Sequence, residues 1–132
     1  MRHRMSISLA LAGLCCVLSG CSDVPAGMAK VSGTVTWNGV PIEAGYINFD
    51  PDSGATPQSG KIEQGEFSLL APVGMNTVRI EANKEVGFVE AMNQPAFKQY
   101  IPPQYNFESE LSEEVEEGVH NEFQFSLEGQ ET

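Results

Sequence analysis

The chain has 132 residues, and 18 Asp and Glu against 7 Lys and Arg give it a formal net charge of −11 at pH 7. A charge of this sign and size argues against binding to nucleic acid and against adsorption to anionic lipid surfaces. The length suits a single domain with its own hydrophobic core.

The N-terminus has the layout of an export signal. Arg2 and Arg4 precede an apolar run over 5–18, and the letters LSGC occupy 18–21. As a helix, a run of about 14 residues is about 21 Å long, too short for a hydrocarbon core of about 30 Å. The segment resembles the lipobox signal of bacterial lipoproteins. That resemblance implies cleavage before Cys21 and acylation of its thiol, which would anchor the chain in a lipid bilayer.

The leader also predicts domain boundaries. We expect a signal peptide over 1–20, a linker over 21–29, one folded domain over 30–128 and a tail over 129–132. The domain should be held by packing and sheet hydrogen bonds, without disulfides. Of the three cysteines, two leave with the leader and the third is acylated.

The same signal predicts the compartment. We expect an exported protein that is anchored in a membrane and faces the periplasm or the cell surface. Ser22, the residue after the acylated cysteine, favours the outer membrane over the inner one.

The first half of the domain alternates polar and apolar residues. A strand is predicted over 30–37, because Val31, Val35 and Trp37 share one face. Asn38-Gly39 predicts a type I′ turn, and Pro41 after it fits only an edge or a loop. A second strand is predicted over 45–51, and a surface loop over 51–60.

The second half is less regular. Short strands are predicted on either side of Gln64-Gly65 and over 75–82. We expect a possible strand over 86–89, a loop with a helical turn over 94–100, and a last strand over 122–127. Together these segments predict an all-β, antiparallel sandwich of about seven strands. Its inward side chains should include Phe49, Phe67, Val78, Ile80, Phe123 and Phe125.

Structural glycines and prolines carry a family resemblance. The pattern V-x-G-x-V-x-x-x-G-x-P-I over 31–42, the G-x-I-x-F over 45–49 and the P-x-G at 72–74 resemble carboxypeptidase regulatory-like (transthyretin-like) domains. The IPPQYN segment at 101–106 is similar to a subgroup of small bacterial lipoproteins. The resemblance covers about 30–128 and implies the sandwich fold, but no particular ligand or reaction.

Catalytic side chains are scarce. His120 is the one histidine after the leader, so a histidine-rich metal site within one chain is impossible, and we expect it in an exposed turn. A Ser-His-Asp triad would need a serine activated by His120, and no serine lies in a G-x-S-x-G elbow. We therefore expect a protein that is not an enzyme and has no cofactor.

Three other groups of residues are candidates for binding. Asp50 and Asp52 could offer two carboxylates to calcium, although a simple Asp/Pro turn explains them better. An acidic run is expected to form a solvated edge or loop rather than a cation site; it comprises Glu108, Glu110, Glu113, Glu114, Glu116 and Glu117. Four aromatic residues could stack on a sugar. Burial is expected for Trp37 and Tyr46, and packing onto the sandwich is expected for Tyr100 and Tyr105.

The resulting hypothesis is a membrane-anchored lipoprotein of the cell envelope that acts as a non-enzymatic structural or interaction module. Its partners would be the lipid bilayer, through acylated Cys21, and an envelope protein or polysaccharide. The alternative is a binder of a small ligand such as calcium or envelope carbohydrate.

Overall fold

Strands make up most of the chain in the computed structural model, which describes residues 24–131. The expected signal peptide and Cys21 lie outside this range. Two 3₁₀ turns, at Glu90–Met92 and Pro103–Tyr105, interrupt the strands. Within the described range the strands are β1 (Met28–Trp37), β2 (Val40–Pro41), β3 (Ala44–Pro51), β4 (Gln58–Glu63), β5 (Glu66–Pro72), β6 (Gly74–Glu81), β7 (Asn83–Val89), β8 (Gln94–Gln99), β9 (Ser112–Val115) and β10 (Asn121–Leu127).

Eight of these strands form one sheet that folds over on itself. Seven follow the order β10-β1-β5-β4-β3-β6-β9, and β2 pairs with β1. Only two residue pairs join β4 to β5, so the sheet bends there into two layers. Phe49 of β3 meets Phe123 of β10 with ring centroids 6.1 Å apart, although these strands are far apart in the sheet order. The two layers therefore enclose one core, as in a β-sandwich.

The predicted all-β sandwich is confirmed, and so is its core. Of the six side chains expected to point inward, five are buried and Phe123 is partly buried against them. The strand count differs from the prediction, since ten strands are present in the described range instead of about seven. The additional strands are short or lie outside the main sheet, where periodicity is a weak signal.

One strand pair differs from the antiparallel arrangement that was predicted. β1 and β10 run parallel, in register from Val31–Asn121 to Trp37–Leu127. Alternation along a strand sets which face is buried, but it contains no information on the direction of a neighbour. A Cβ atom at Gly33 would lie 1.8 Å from the carbonyl oxygen of Phe123. Only glycine permits this close approach of the two backbones.

Two tight turns confirm the hairpins that the sequence predicts. Asn38 and Gly39 have φ angles of 48° and 82°, and Gln64 and Gly65 have angles of 51° and 79°. Two successive positive φ angles are the signature of a type I′ turn, whose twist matches that of the flanking strands. Pro41 follows the first turn in β2, a strand outside the main order of the sheet, as expected.

One segment predicted as a loop is shorter than expected, and another is a strand. The loop expected over 51–60 covers 52–57, because β3 extends to Pro51 and β4 starts at Gln58, which pairs with Phe49. The loop expected over 94–100 is β8, and the helical turn precedes it at Glu90–Met92. Pro95 is tolerated in β8 because a two-stranded sheet has an open edge on each strand.

Candidate functional site

β7 and β8 form an arm that projects from the sandwich. The arm comprises residues 83–99, in which the two strands pair only with each other. Every residue of β7 is exposed. Five large apolar side chains of the arm face solvent, and all the rest of the described chain adds only five more. Those of the arm are Val86 (53% exposed), Phe88 (57%), Val89 (37%), Met92 (66%) and Phe97 (63%).

Aromatic surface is concentrated on one face of the arm. Phe88 pairs with Pro95 across the two strands, and Phe97 follows two residues later on the same face. We call these three residues, two phenylalanines and a proline, the apolar stripe. The ladder shifts register between Glu85 and Gly87, a bulge of the kind that increases the twist of a ribbon. The part of the chain that the structure describes places no strand over the stripe.

The base of the arm is fastened to the sandwich. The Tyr100 amide donates a hydrogen bond to the Ala82 carbonyl (3.1 Å), and the Ala82 amide donates to Oε1 of Gln99 (2.7 Å). Lys84 forms an ion pair with Glu131, and its ammonium nitrogen lies 5.7 Å from the centroid of the Tyr100 ring. These contacts hold the first residues of the arm while its tip remains free of the sandwich.

The environment of Tyr100 favours its neutral form. Burial raises the pKa of the Tyr100 phenol, and the negative charges of Glu131 and Glu43 raise it further. A phenolate at this position would lose hydration and face two carboxylates.

Tyr100 also belongs to a packed aromatic cluster. Trp37 is buried, and the rings of Tyr100 and Tyr105 each lie 6.3 Å from it in edge-to-face geometry. The Tyr105 hydroxyl donates a hydrogen bond to the Glu128 carbonyl at 2.8 Å. Both tyrosines thus pack the segment 101–106, with its two prolines, onto the sandwich, as predicted. The predicted burial of Tyr46 is wrong, because this side chain is 47% exposed on the outer face of β3.

A groove of about 570 Å³ lies between the β1–β2 hairpin and the base of the arm. Tyr100 and Lys84 line it together with three carboxylates, those of Glu43, Glu85 and Glu131. The groove combines an aromatic ring with several hydrogen-bonding groups, which is the composition of many small-ligand sites.

The structure brings His120 next to a serine that the sequence does not single out. The Ser32 hydroxyl lies 2.7 Å from Nε2 of His120, and this contact is exposed to solvent. A triad also needs an acidic group that orients the imidazole. Within residues 24–131, no carboxylate hydrogen-bonds the other ring nitrogen. The two residues are 88 positions apart in the chain, so no local motif could have indicated the pair.

Of the two weak calcium candidates, Asp50 uses its carboxylate in an ion pair, whereas the contact of Asp52 is made by its backbone. Oδ2 of Asp50 lies 2.5 Å from Nη1 of Arg79 in a half-exposed ion pair. The Asp52 amide donates a hydrogen bond to the Met75 carbonyl at 3.0 Å. Among the described residues, no group of three or more His, Cys, Asp or Glu side chains lies close enough to hold a metal ion.

The acidic run lies along one edge of the sandwich. Glu113 and Glu114 belong to β9, which is the terminal strand of the sheet order next to β6. Charged side chains on an edge strand disfavour pairing with another chain. This location is the solvated edge that we expected for the run.

The arm and the start of the described chain lie at opposite ends of the sandwich. The Val73 amide donates a hydrogen bond to the Gly27 carbonyl at 2.9 Å, and β6 begins directly afterwards at Gly74. β6 has eight residues, or about 26 Å of extended chain. The arm begins at Asn83, beyond the far end of this strand. Gly27 and the first residue of the arm are therefore separated by about the length of a core strand.

The similarity of this chain to known proteins is low. No family model and no curated protein matches the chain. Two solved structures are similar to it. A DUF3823 family protein from Parabacteroides merdae has 20% identity and a TM-score of 0.41 over 77% of this chain and 46% of that protein. A 9R-lipoxygenase from Cyanothece has 16% identity and a TM-score of 0.40 over 80% of this chain. The chain spans under half of the first protein and 17% of the second.

No helix in residues 24–131 combines the length and the apolar character needed to cross a membrane.

Proposed function

We propose that this protein is a lipoprotein of the cell envelope, held on a membrane by acylated Cys21, whose β-sandwich is a non-enzymatic interaction module of the carboxypeptidase regulatory-like type. The exposed apolar arm is the observation that carries the proposal. Apolar side chains that remain in water after folding are typical of surfaces that bind another molecule.

The placement of the arm supports a role in display. A tether that enters near Gly27 would hold that end of the sandwich close to the bilayer. The arm would then extend from the opposite end, away from the lipid. The acidic sandwich between them would be repelled by anionic headgroups, which favours the same orientation.

The anchor is tested by substitution of cysteines in the full chain. Cys21→Ala should move the protein from the membrane fraction to the soluble fraction and should abolish labelling by a palmitate analogue. Cys15→Ala and Cys16→Ala are matched controls in the leader, and both variants should stay in the membrane. Retention of the Cys21→Ala variant in washed membranes would contradict the lipoprotein assignment.

The choice of membrane is tested in the same strains. We propose that the wild-type protein sediments with the outer membrane on a density gradient, because Ser22 follows the acylated cysteine. Ser22→Asp should move it to the inner-membrane fraction. A wild-type protein in the inner membrane would contradict the proposed location and leave the anchor unaffected.

A second candidate function is binding of a small ligand in the groove beside Tyr100. The aromatic ring and the carboxylates around it make this groove a better candidate for a ligand site than Asp50. A thermal-shift screen with calcium and with envelope oligosaccharides tests it, with Tyr100→Ala as the groove variant. An unchanged melting temperature across the screen would rule the alternative out.

The purified protein used in this screen also tests whether Ser32 and His120 form a catalytic pair. A non-enzymatic module should show no hydrolysis of ester or peptide substrates above background. Hydrolysis that disappears in His120→Ala and in Ser32→Ala would contradict the proposal.

A further inference from the structure

We propose that Asn38 is a site of spontaneous covalent modification, in which its side-chain amide is converted to a carboxylate, and that the C-terminal tail controls this reaction. The tail follows the last strand, and the structure describes it from residue 129 to residue 131. The inference goes beyond the proposed function, because it depends neither on the membrane anchor nor on a partner.

Asn38 and Gly39 meet the local requirements of the reaction. The amide nitrogen of Gly39 can attack the side-chain carbon Cγ of Asn38, because glycine has no side chain to obstruct the approach. Both residues are exposed in the turn between β1 and β2, and a Cβ atom at Gly39 would meet nothing within 4 Å. Among the described residues, none accepts a hydrogen bond from the Gly39 amide. The attacking nitrogen is therefore free, and water has access to the site.

The reaction needs only water as a co-reactant. The Gly39 nitrogen loses its proton to solvent and bonds to Cγ of Asn38, which closes a five-membered ring. The bond from Cγ to Nδ2 then breaks, and Nδ2 takes up a proton and leaves as ammonia. Water opens the resulting imide at either carbonyl carbon. The product is an aspartate, or an isoaspartate in which the main chain runs through the former side chain.

Two hydrogen bonds from the tail hold the Asn38 side chain out of the reactive geometry. Nδ2 of Asn38 donates to the Gly129 carbonyl at 3.0 Å, and Oδ1 accepts from the Gly129 amide at 3.1 Å. Ring closure requires Cγ to become nearly eclipsed with the main-chain carbonyl carbon, whereas side chains rest in staggered rotamers. Asn38 can make this rotation only by breaking both bonds. The bonds therefore slow the reaction for as long as the tail is in place.

Contacts on both sides of Gly129 keep the tail in place. Before it, the Glu128 carbonyl accepts a hydrogen bond from the Tyr105 hydroxyl at 2.8 Å. After it, Glu131 forms an ion pair with Lys84 at the base of the arm. Gly129 is thus held beside Asn38 by groups that come from two other parts of the fold. Loss of the tail would leave the turn itself unchanged and would free the Asn38 side chain.

Peptide mapping by mass spectrometry measures the reaction in chains of three lengths: full length, ending at Gln130, and ending at Glu128. Each is expressed with its own leader, purified folded and incubated in mildly alkaline buffer. The chain that ends at Glu128 lacks both bonds to Asn38. We expect it to react at least about tenfold faster than the full-length chain, because each net hydrogen bond contributes a factor of about 2–10. The chain that ends at Gln130 keeps Gly129 and should react as slowly as full length. Equal rates in all three chains would overturn the proposal.

An internal control separates the effect of the tail from general loosening of the fold. Asn93 is exposed and has a φ angle of 50°, close to the 48° of Asn38, but Gln94 follows it instead of a glycine. Asn93 should stay unmodified in all three chains. Modification of Asn93 at the same rate as Asn38 would attribute the reaction to unfolding and overturn the role of the tail.

A variant at Gly39 tests the attacking nitrogen. Gly39→Asn keeps a residue that tolerates a positive φ angle, but its side chain shields the nitrogen. In the chain that ends at Glu128, this substitution should slow the reaction at Asn38 to near the full-length rate. An unchanged rate would contradict attack by this nitrogen.

A full-length variant repeats the test without truncation. Gly129→Pro removes the amide hydrogen that Oδ1 of Asn38 accepts, and proline cannot adopt the φ angle of 153° at Gly129. We expect the reaction to accelerate as it does in the chain that ends at Glu128, with circular dichroism verifying that the variant is folded. A reaction as slow as in the wild type would overturn the proposal.

Modification should in turn release the tail, because coupling between two sites is reciprocal. Asn38→Asp reproduces the aspartate product, whose carboxylate no longer donates to the Gly129 carbonyl. We expect a carboxypeptidase to remove the tail about 2–10-fold faster from this variant than from the wild type, which is the contribution of one net hydrogen bond. Asn93→Asp adds the same charge elsewhere and should leave the digestion rate unchanged. Equal digestion of Asn38→Asp and the wild type would overturn the coupling between Asn38 and the tail.

Discussion

Single residues determine how closely the strands of this sandwich approach. Gly33 lets the first and last strands lie side by side, and Asn38 turns the chain after β1. Asn38 also receives a hydrogen bond from the Gly129 amide at 3.1 Å and donates one to the Gly129 carbonyl at 3.0 Å. Asn38 therefore has two roles: it forms the first turn, and its side chain attaches the tail to that turn.

Substitution of Gly33 tests the close approach of β1 and β10. Gly33→Ala places a methyl group against the Phe123 carbonyl, and neither backbone can move without breaking the parallel pairing. We expect a loss of about 3 kcal/mol in the free energy of unfolding, measured by urea denaturation. Gly54→Ala is the control, since a Cβ there meets open space. Its positive φ angle should cost only about 1 kcal/mol. Equal losses in both variants would show that the close approach is not the cause.

The pKa of Tyr100 predicts a pH dependence of stability. Because the folded-state pKa is raised, the contribution of this group to stability is fully present below its unfolded value of about 10. It is lost as the pH rises through the folded-state pKa. Tyr100→Phe should remove this part of the alkaline loss, measured by urea denaturation between pH 8 and 11. Glu131→Gln should make this alkaline loss smaller, because one of the charges that raise the folded-state pKa is gone. An alkaline loss that is identical in Tyr100→Phe would exclude this residue as its source.

At the scale of elements, the arm and the sandwich differ in what stabilises them. The sandwich strands bury one face against the other layer. The arm has only its own cross-strand hydrogen bonds and a few contacts at its base. Isolated two-stranded hairpins are marginally stable, so the fastening at Ala82 and Tyr100 is needed to keep the arm in place.

Deletion of the arm tests whether it contributes to the core. Ala82 and Tyr100 are joined by a hydrogen bond, so Gly-Gly can replace residues 83–99 without moving either strand end. We expect the free energy of unfolding to fall by only about 1–2 kcal/mol, from the loss of the Lys84–Glu131 pair and the Gln99 hydrogen bond. Circular dichroism with urea denaturation measures the change. A chain that no longer folds would show that the arm belongs to the core.

At the scale of the whole molecule, the first and the last strand complete one sheet. β10 contributes Phe125 and Leu127 to the core and pairs with β1 along its length. The chain cannot close its core until β10 is present. Such long-range pairing also predicts slow folding in comparison with helical domains of the same size.

Truncation at two points tests the role of the last strand. A stop after Gly118 removes β10 and should leave an unfolded chain, since the faces of β1 and β3 that contact it would be exposed. A stop after Glu128 removes only the tail and should lower the free energy of unfolding by about 1–2 kcal/mol, through loss of the bonds to Asn38 and Lys84. Circular dichroism and urea denaturation distinguish the two results. A folded chain that ends at Gly118 would contradict the role assigned to β10.

Local sequence determined the strands that bury one face, the tight turns at Asn38-Gly39 and Gln64-Gly65, and the inward side chains of the core. These features depend on alternation and on backbone preferences, which act between near neighbours. Local sequence also supplied the expectation of an anchor at Cys21. The tertiary structure decided the parallel direction of β10, the contact between Ser32 and His120, and the exposure of Phe88 and Phe97. An apolar residue in a strand pattern predicts burial, and whether another layer covers it depends on chain segments far away in the sequence. The arm remains exposed because the sandwich closes its core without it.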